Sequence, residues 1–303
     1  MHIVYVSDGK AGHRSQALGL YQAMQRQHSQ SLSFQEVFIQ DLPLFLLFMA
    51  VIKKNLASMQ QQPNYIIGVG SHTQLRVLML GKVYPLAKTI ILMKPNYPLT
   101  WFDYAVIPQH DGIAASEQVL ITRGALNPIM NQQRHQASRI LIALGGSSKR
   151  HQWNSTKVMQ ALAAIVKENP ASKLILTTSR RTPTDFLKRL STEKFATQLE
   201  VFPVEETAQG WIFEQMQLAE AVWVTEDSVS MIFEALTAGC RVGLIEIDRL
   251  KQDRITHAVD QLLESQVLVK YFNLNQLATP ISLNEADRVA RLILAQCYSN
   301  KKY

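Results

Sequence analysis

Arg139-Ile-Leu-Ile-Ala-Leu144, followed by Gly145-Gly-Ser-Ser-Lys-Arg150 and a helical pattern from Asn154 to Lys167, decides how this chain is read. A short apolar run, a glycine turn carrying hydroxyls and cations, and an amphipathic stretch make one strand–loop–helix unit. Moving outward, the unit recurs. Lys173–Thr177 precedes a helix after Pro183, Ala221–Val224 precedes a helix from Ser228 to Ala238, and Val242–Ile247 continues the series. Toward the N-terminus the alternation gives His2–Val6 with a helix from about Gly12 to Gln25, then a strand near Phe34–Ile39. Tyr65–Val69 with a helix from His72, Thr89–Met93, Ala105–Ile107 and Val119–Ile121 follow. Strands alternating with helices of about 10–15 residues imply parallel sheets covered on both faces. The polar stretch Asn127–Ser138, with Pro128 and the run NQQRHQ, separates two series. The expected architecture is α/β, with two Rossmann-like domains, residues 1–131 and 138–303, facing a central cleft at their strand C-terminal ends. A last helix, roughly Asn284–Tyr298, follows the second series and is free to pack back on the first domain.

Composition narrows the function classes. A length of 303 residues suits two domains, and 47% hydrophobic with 18% charged residues, without Pro/Gly-rich tracts, excludes disordered and fibrous chains. The net charge of +7 is uneven, about +5 in residues 1–137 against +2 in 138–303, because the first half is poor in acids. That balance suits a phosphate-bearing ligand or a phospholipid surface, whereas no Lys/Arg cluster has the density of a nucleic-acid arm, so no nucleic acid is expected. Cys240 and Cys297 stand far apart without CxxC or Cys/His spacing, which argues against a disulfide scaffold or structural zinc. Neither HxxxH, HExxH nor a carboxylate array occurs, so no metal and no tightly bound cofactor is expected. The opening MHIVYVSDGK lacks the features of a secretory signal, so a cytoplasmic location is expected. The apolar run from Leu42 to Ile52 is about half the ~20 residues that span a bilayer and ends on Lys53-Lys54. An all-round apolar helix is ordinarily interior, so a core helix is the expectation. The alternative is an interfacial segment, residues 42–54, holding the chain on the inner, anionic face of a bacterial membrane.

The chemistry is concentrated in loops after strands. Ser7-Asp-Gly-Lys-Ala-Gly-His13 opens a helix: Gly9 and Gly12 let the backbone turn, Lys10 adds charge, and the helix N-terminus offers free N–H groups. His13 there could act as general base on a hydroxyl, with Asp8 orienting it or competing for the role; a simple cap at His13 and a turn residue at Asp8 are the bland alternative. This loop is neither a dinucleotide GxGxxG nor a P-loop GK[ST]. In the second series, Gly145 and Gly146 offer amides to a diphosphate, Ser147 and Ser148 hydroxyls, and Lys149 or Arg150 charge; a plain strand-to-helix turn explains them equally well. Thr177-Thr-Ser-Arg-Arg-Thr-Pro183 puts Ser179, Arg180 and Arg181 at a strand end, a pattern suited to an anion, with surface salt bridges as the alternative for the arginines. Thr225, Ser228 and Ser230 offer capping and phosphate contacts at the helix they precede. Glu234, inside that helix, could accept from ribose hydroxyls, as could Glu226 or Asp227; a cap at Asp227 and a buried salt bridge at Glu234 are the bland alternatives. His72 and His110, each after a strand, are candidate cleft contacts. No GxSxG nucleophile is present.

In order along nearly the whole chain, Asp8-Gly-Lys-Ala-Gly-His13 with Gln16-Ala-Leu-Gly19, Phe102-Asp103 with Pro108-Gln-His-Asp111, Gly145-Gly146, Ser179-Arg-Arg-Thr-Pro183, and Thr225–Met231 with Glu234-Ala235 resemble the plant mitochondrial fission protein family and its bacterial relatives. The resemblance implies a glycosyltransferase-like fold of the GT-B type. In plants it implies an adaptor that recruits a dynamin-related protein to the mitochondrial outer surface; for a bacterial-looking chain it implies an enzyme. Glu226 and Cys240-Arg241 depart from the small residue and Lys-Pro pair expected in that family. More distantly, the Gly12-His13 and Gly145–Ser147 turns are similar to those of the lipid-linked GlcNAc transferase of peptidoglycan synthesis. That likeness implies that the second domain holds the nucleotide sugar and that Glu234 binds ribose. The resulting expectation is a glycosyltransferase moving a sugar from a nucleotide-diphosphate sugar, as substrate, to a cell-envelope or lipid-linked acceptor. A non-catalytic adaptor and a nucleotide-sugar epimerase are its rivals, and no motif sets an oligomeric state.

Overall fold

The computed structural model describes residues 1–56, 58–59 and 61–299, with side chains up to 295; residues 57, 60 and 300–303, and the side chain of Cys297, lie outside that description. Two compact units emerge. The first begins β1 (His2–Ser7), α1 (Ala11–Gln27), β2 (Ser33–Phe38), α2 (Leu44–Lys53), β3 (Tyr65–Val69), α3 (Gln74–Val83), β4 (Lys88–Leu92), β5 (Tyr104–Pro108) and β6 (Val119–Thr122). Its sheet runs β2-β1-β3-β4-β5-β6 and is parallel throughout. Runs such as Tyr65–Val69 are buried along their whole length, as parallel strands covered on both faces require. One face carries Tyr5, Ile67 and Ile90 against Ala17, Leu20 and Met24 of α1. The other packs Val4, Ile66 and Ile91 against Leu47 of α2 and Val77 and Leu80 of α3.

The second unit, Ile129–Leu283, contains β7 (Gln136–Ala143), β8 (His151–Gln152), α4 (Ser155–Glu168), β9 (Lys173–Thr177), α5 (Phe186–Leu190) and β10 (Leu199–Phe202). It continues through α6 (Trp211–Leu218), β11 (Ala219–Thr225), α7 (Val229–Ala238), β12 (Arg241–Ile245), β13 (Asp248–Arg249) and α8 (Arg254–Glu264). The sheet order is β10-β9-β7-β11-β12, again parallel, with β8 and β13 as a separate antiparallel pair. Asn154 starts α4 by accepting the Lys157 amide at 3.2 Å, and Asp253 with Thr256 forms a capping box on α8. Chain order and unit membership part company at the end. α9 (Glu285–Ser299) buries Val289, Ala290 and Ile293 in the core of the first unit, and Asp287 pairs with Arg26 of α1 at 2.6 Å. Residues from Asn284 therefore belong with Met1–Pro128.

The core-helix expectation for the run from Leu42 is corrected by α2. Only Leu47 and Ala50 are buried in it, while Leu44, Phe45, Phe48 and Ile52 are exposed at 44%, 77%, 60% and 64%. A helix lying on the outside of a sheet covers it with one stripe, and among the described residues of this unit none covers the opposite stripe. Among the described residues, no helix is long and apolar enough to cross a membrane.

Candidate functional site

Each sheet reverses its winding once. In the first unit β2 lies on one side of β1 and β3 to β6 on the other; in the second, β9 and β10 lie on one side of β7 and β11 and β12 on the other. Open parallel sheets take ligands outside the strand C-termini at such a reversal. The loops at these reversals are those after β1 and β3, and those after β7 and β11.

After β1, the Asp8 carboxylate, whose side chain is 3% exposed, meets His13 Nδ1 at 3.0 and 3.1 Å and Lys10 Nζ at 3.1 Å, and also accepts the Lys10 amide at 3.3 Å. Burial pushes this carboxyl up, but the hydrogen bonds from Lys10 and His13 outweigh it and hold the group below its ordinary range. With Nδ1–H donated to Asp8, the imidazole presents Nε2 as its lone-pair nitrogen, and Nε2 has no partner among the described residues. Gly70, at the end of β3 with φ +76°, makes room for the ring: a Cβ there would come within 2.5 Å of His13 Cε1. The β1–β3 reversal thus assembles a carboxylate–imidazole pair, with Asp8 as the orienting member. Gly9, at φ +79°, and Gly12 face open space. His72 is exposed in the loop between β3 and α3, beside the same reversal. His110 stands elsewhere. It follows β5, three strands from β1 in the sheet and so roughly 14 Å away at the usual strand spacing, and it lies 3.8 Å from the Asp111 carboxylate.

After β7, β9 and β11 the second unit builds a closed network. The Gly145 amide donates to Thr225 Oγ1 at 2.6 Å and the Gly146 amide to Asp227 Oδ2 at 3.0 Å. Arg181 pairs with Asp227 at 2.6 Å and donates to the carbonyls of Gly146 and Ser147, each at 3.2 Å, and to Ser228 Oγ at 3.1 Å. The glycine amides expected to face a diphosphate are therefore taken by Thr225 and Asp227. The reason for glycine here is steric: a Cβ at Gly145 would strike the Asp227 carboxylate, and one at Gly146 the Arg181 carbonyl. Hydroxyls follow suit. Ser147 Oγ accepts the Trp153 amide, Ser148 Oγ the amides of Arg150 and His151, and Ser179 Oγ the amide of Arg181. Ser228 bonds Asp227 and Arg181 instead of capping α7 with its side chain, and Asp227 braces the turn in place of the cap offered as its alternative. Oδ1 of the fully buried Asp227 carboxylate has no partner among the described residues.

What stays open around this network is the first turn of α7, with Ser230 exposed on it, and Arg180. Arg180 is exposed and, among the described residues, without a hydrogen bond or ion pair, in contrast to its neighbour Arg181. Glu234, one turn further along α7, is partly buried; burial pushes its carboxyl up to about 8. The salt bridge offered as its alternative does not form among the described residues. Glu226 is not free for ribose either, since Arg249 of β13 grips it and reaches Asp260 at 2.6 Å. His151 sits beside that cluster, 4.0 Å from Glu226, its ring pushed down by burial and left with an unpartnered Nε2. Arg249 and His151 escaped the sequence reading. The one hint was Glu226, an acid where the family pattern has a small residue.

Comparison with known proteins agrees with this architecture. The sequence model for mitochondrial fission ELM1 matches residues 11–297. A curated Rickettsia prowazekii protein, itself uncharacterized, is 24% identical over 360 aligned positions, covering 99% of this chain and 100% of that protein. Among solved structures, the UDP-GlcNAc 2-epimerase of Methanocaldococcus jannaschii superposes with a TM-score of 0.56 at 10% identity, over 97% of this chain and 100% of that one. Acinetobacter baumannii MurG gives 0.50 at 14% identity, over 97% and 90%. The fold is therefore the GT-B type found in glycosyltransferases and epimerases.

Proposed function

The chain belongs to the mitochondrial fission ELM1 family and folds as GT-B proteins do, and from that premise we propose that it is a glycosyltransferase. It moves a sugar from a nucleotide-diphosphate sugar to a hydroxyl of a cell-envelope or lipid-linked acceptor. The observation that carries this reading is the Asp8–His13 pair, a buried carboxylate holding an imidazole by Nδ1 at 3.0 Å and leaving Nε2 unengaged. His13 Nε2 takes the proton of the acceptor hydroxyl as its oxygen bonds the anomeric carbon, and the carbon–oxygen bond to the nucleoside diphosphate breaks with the electron pair leaving on the diphosphate. Direct displacement inverts the anomeric centre. Asp8 stabilises the imidazolium that forms. The second unit carries the donor: the α7 N-terminus and Arg180 receive the diphosphate, while Arg181, Asp227, Thr225 and the two glycines set the shape of the turn. Glu234 receives ribose hydroxyls. The names of the structural relatives support a nucleotide-sugar ligand, one of them being a UDP-GlcNAc 2-epimerase.

A panel of UDP-, GDP-, ADP- and CMP-sugars, read by thermal shift, identifies the donor. Release of nucleoside diphosphate in the presence of bacterial membrane extract then reads transfer. His13→Ala is expected to lower that release by about 10²–10⁴-fold, the range for a positioned general base, with a small drop in melting temperature because the buried Asp8 carboxylate loses one of its partners. Binding without turnover would instead mark an adaptor, and isomerisation of the sugar without an acceptor an epimerase. Full turnover in His13→Ala removes the proposed base.

A further inference from the structure

α2 offers a surface that the sugar-transfer reading does not use. Leu44, Phe45, Phe48 and Ile52 recur at three- and four-residue spacing, so their exposed side chains form one continuous stripe, opposite the buried Leu47 and Ala50. Single exposed apolar residues are ordinary, but a contiguous stripe ending in exposed Lys53 and Lys54 marks an interaction surface. Its charge setting is one-sided. From Leu42 to Phe102 the sequence has six Lys or Arg and no Asp or Glu, and this segment includes α2 and the α3 helix packed beside it. Arg76 and Lys88 are engaged, Arg76 with the carbonyls of Ile39, Leu42 and His72 and Lys88 with Asp103. Lys53, Lys54, Lys82 and Lys94 are exposed and form no ion pair among the described residues.

We propose that this face of α2 lies in the headgroup region of an anionic bilayer, with Phe45 and Phe48 as the deepest anchors. Aromatic and aliphatic side chains there remove apolar surface from water, while Lys53 and Lys54 reach back to lipid phosphates. Each such lysine adds about 1 kcal/mol of attraction near an anionic surface, screened by salt. A second copy of the chain fits the same face poorly. A two-fold interface sets a patch against itself, and this one, from Leu42 to Phe102, has six Lys or Arg and no Asp or Glu to offer them. An anionic bilayer satisfies the stripe and the lysines together.

The test is flotation of the full chain with vesicles of phosphatidylcholine alone or phosphatidylcholine mixed with phosphatidylglycerol. Wild-type protein is expected to float with the anionic vesicles and to be released by salt. Phe45→Ser with Phe48→Ser should weaken that binding by about tenfold or more, given the apolar area lost. Lys53→Gln with Lys54→Gln should weaken it less and remove most of the salt dependence. Both variants should melt as the wild type does, since all four side chains are exposed. Wild-type protein left at the bottom of the gradient, or flotation unaffected by the phenylalanine changes, overturns the proposal. So does sedimentation velocity showing a dimer that those changes dissociate. The sugar-transfer reading is judged separately, because nucleotide-sugar thermal shifts should be the same in wild type and in the phenylalanine variant.

Discussion

Each unit places a glycine-containing turn after the first strand of its parallel sheet, at the reversal of winding, yet the two use glycine for opposite reasons. In the Asp8–His13 turn, Gly9 and Gly12 border open space, and only the left-handed φ of Gly9 demands a residue without Cβ. In the Gly145–Arg150 turn both glycines are roofed over, one by the Asp227 carboxylate and the other by the Arg181 backbone. The first turn is an open rim around a poised imidazole. The second is a packed brace whose amides already have partners, so a diphosphate must be received by the groups around it. A strand-end glycine is thus not by itself a phosphate cradle; its neighbours in space decide.

The widest separation between the units is expected from alanine at these positions. Gly146→Ala has no room to relax against a backbone carbonyl and should destabilise the chain by about 2–4 kcal/mol in urea unfolding. Gly12→Ala, at the second position of α1 with space on all sides, should leave stability unchanged or raise it by about 0.5–1 kcal/mol through helix propensity. Equal effects at the two sites would erase the contrast between rim and brace. A smaller contrast lies within the second unit. Arg181→Ala leaves the fully buried Asp227 carboxylate without its cation and should cost about 1–3 kcal/mol, less than for a fully buried pair because Arg181 is itself 42% exposed. Arg180→Ala should stay within about 0.5 kcal/mol of wild type while abolishing the thermal shift by nucleotide sugar. A stability loss at Arg180, or none at Arg181, would reverse their assigned parts.

Local patterns made the strand–loop–helix units legible, and with them the parallel sheets and the loops that hold chemistry. The Asp8–His13 pair was visible because both partners lie five residues apart on one loop. Asp227 is legible in the sequence only as a ribose contact or a helix cap, because its partners, Gly146 and Arg181, lie 81 and 46 residues away and meet it only when β7, β9 and β11 align. The pairing of Glu226, offered as an alternative ribose contact, is hidden for the same reason, since Arg249 arrives from a two-residue strand with no periodic signal of its own. α2 shows a different limit. Hydropathy establishes that a helix is apolar all round, but only the sheet decides which stripe is covered, and here Leu47 and Ala50 suffice.

Acidity separates the units by sign. Asp8 is held below the ordinary carboxylate range by Lys10 and His13, so it stabilises the fold above its unfolded pKa and that contribution is lost as pH falls through its lower folded value. Glu234 runs the other way. Burial, with no partner among the described residues, pushes it to about 8, whereas the unfolded chain titrates it at about 4.3, so between those values the unfolded state releases a proton that the folded state keeps. Stability should therefore fall as pH rises across that window. Glu234→Gln cannot ionise, and its melting temperature should gain on wild type steadily from pH 5 to 8 and then level. Donor binding sharpens the same point: ribose hydroxyls that donate to the carboxylate favour its ionised form, so binding at pH 7 should release a proton in wild type and none in Glu234→Gln. Calorimetry in two buffers of different ionisation enthalpy reads that proton directly. A melting-temperature difference that stays flat from pH 5 to 8 would mean Glu234 is ionised and paired, and the two carboxylates would then be alike.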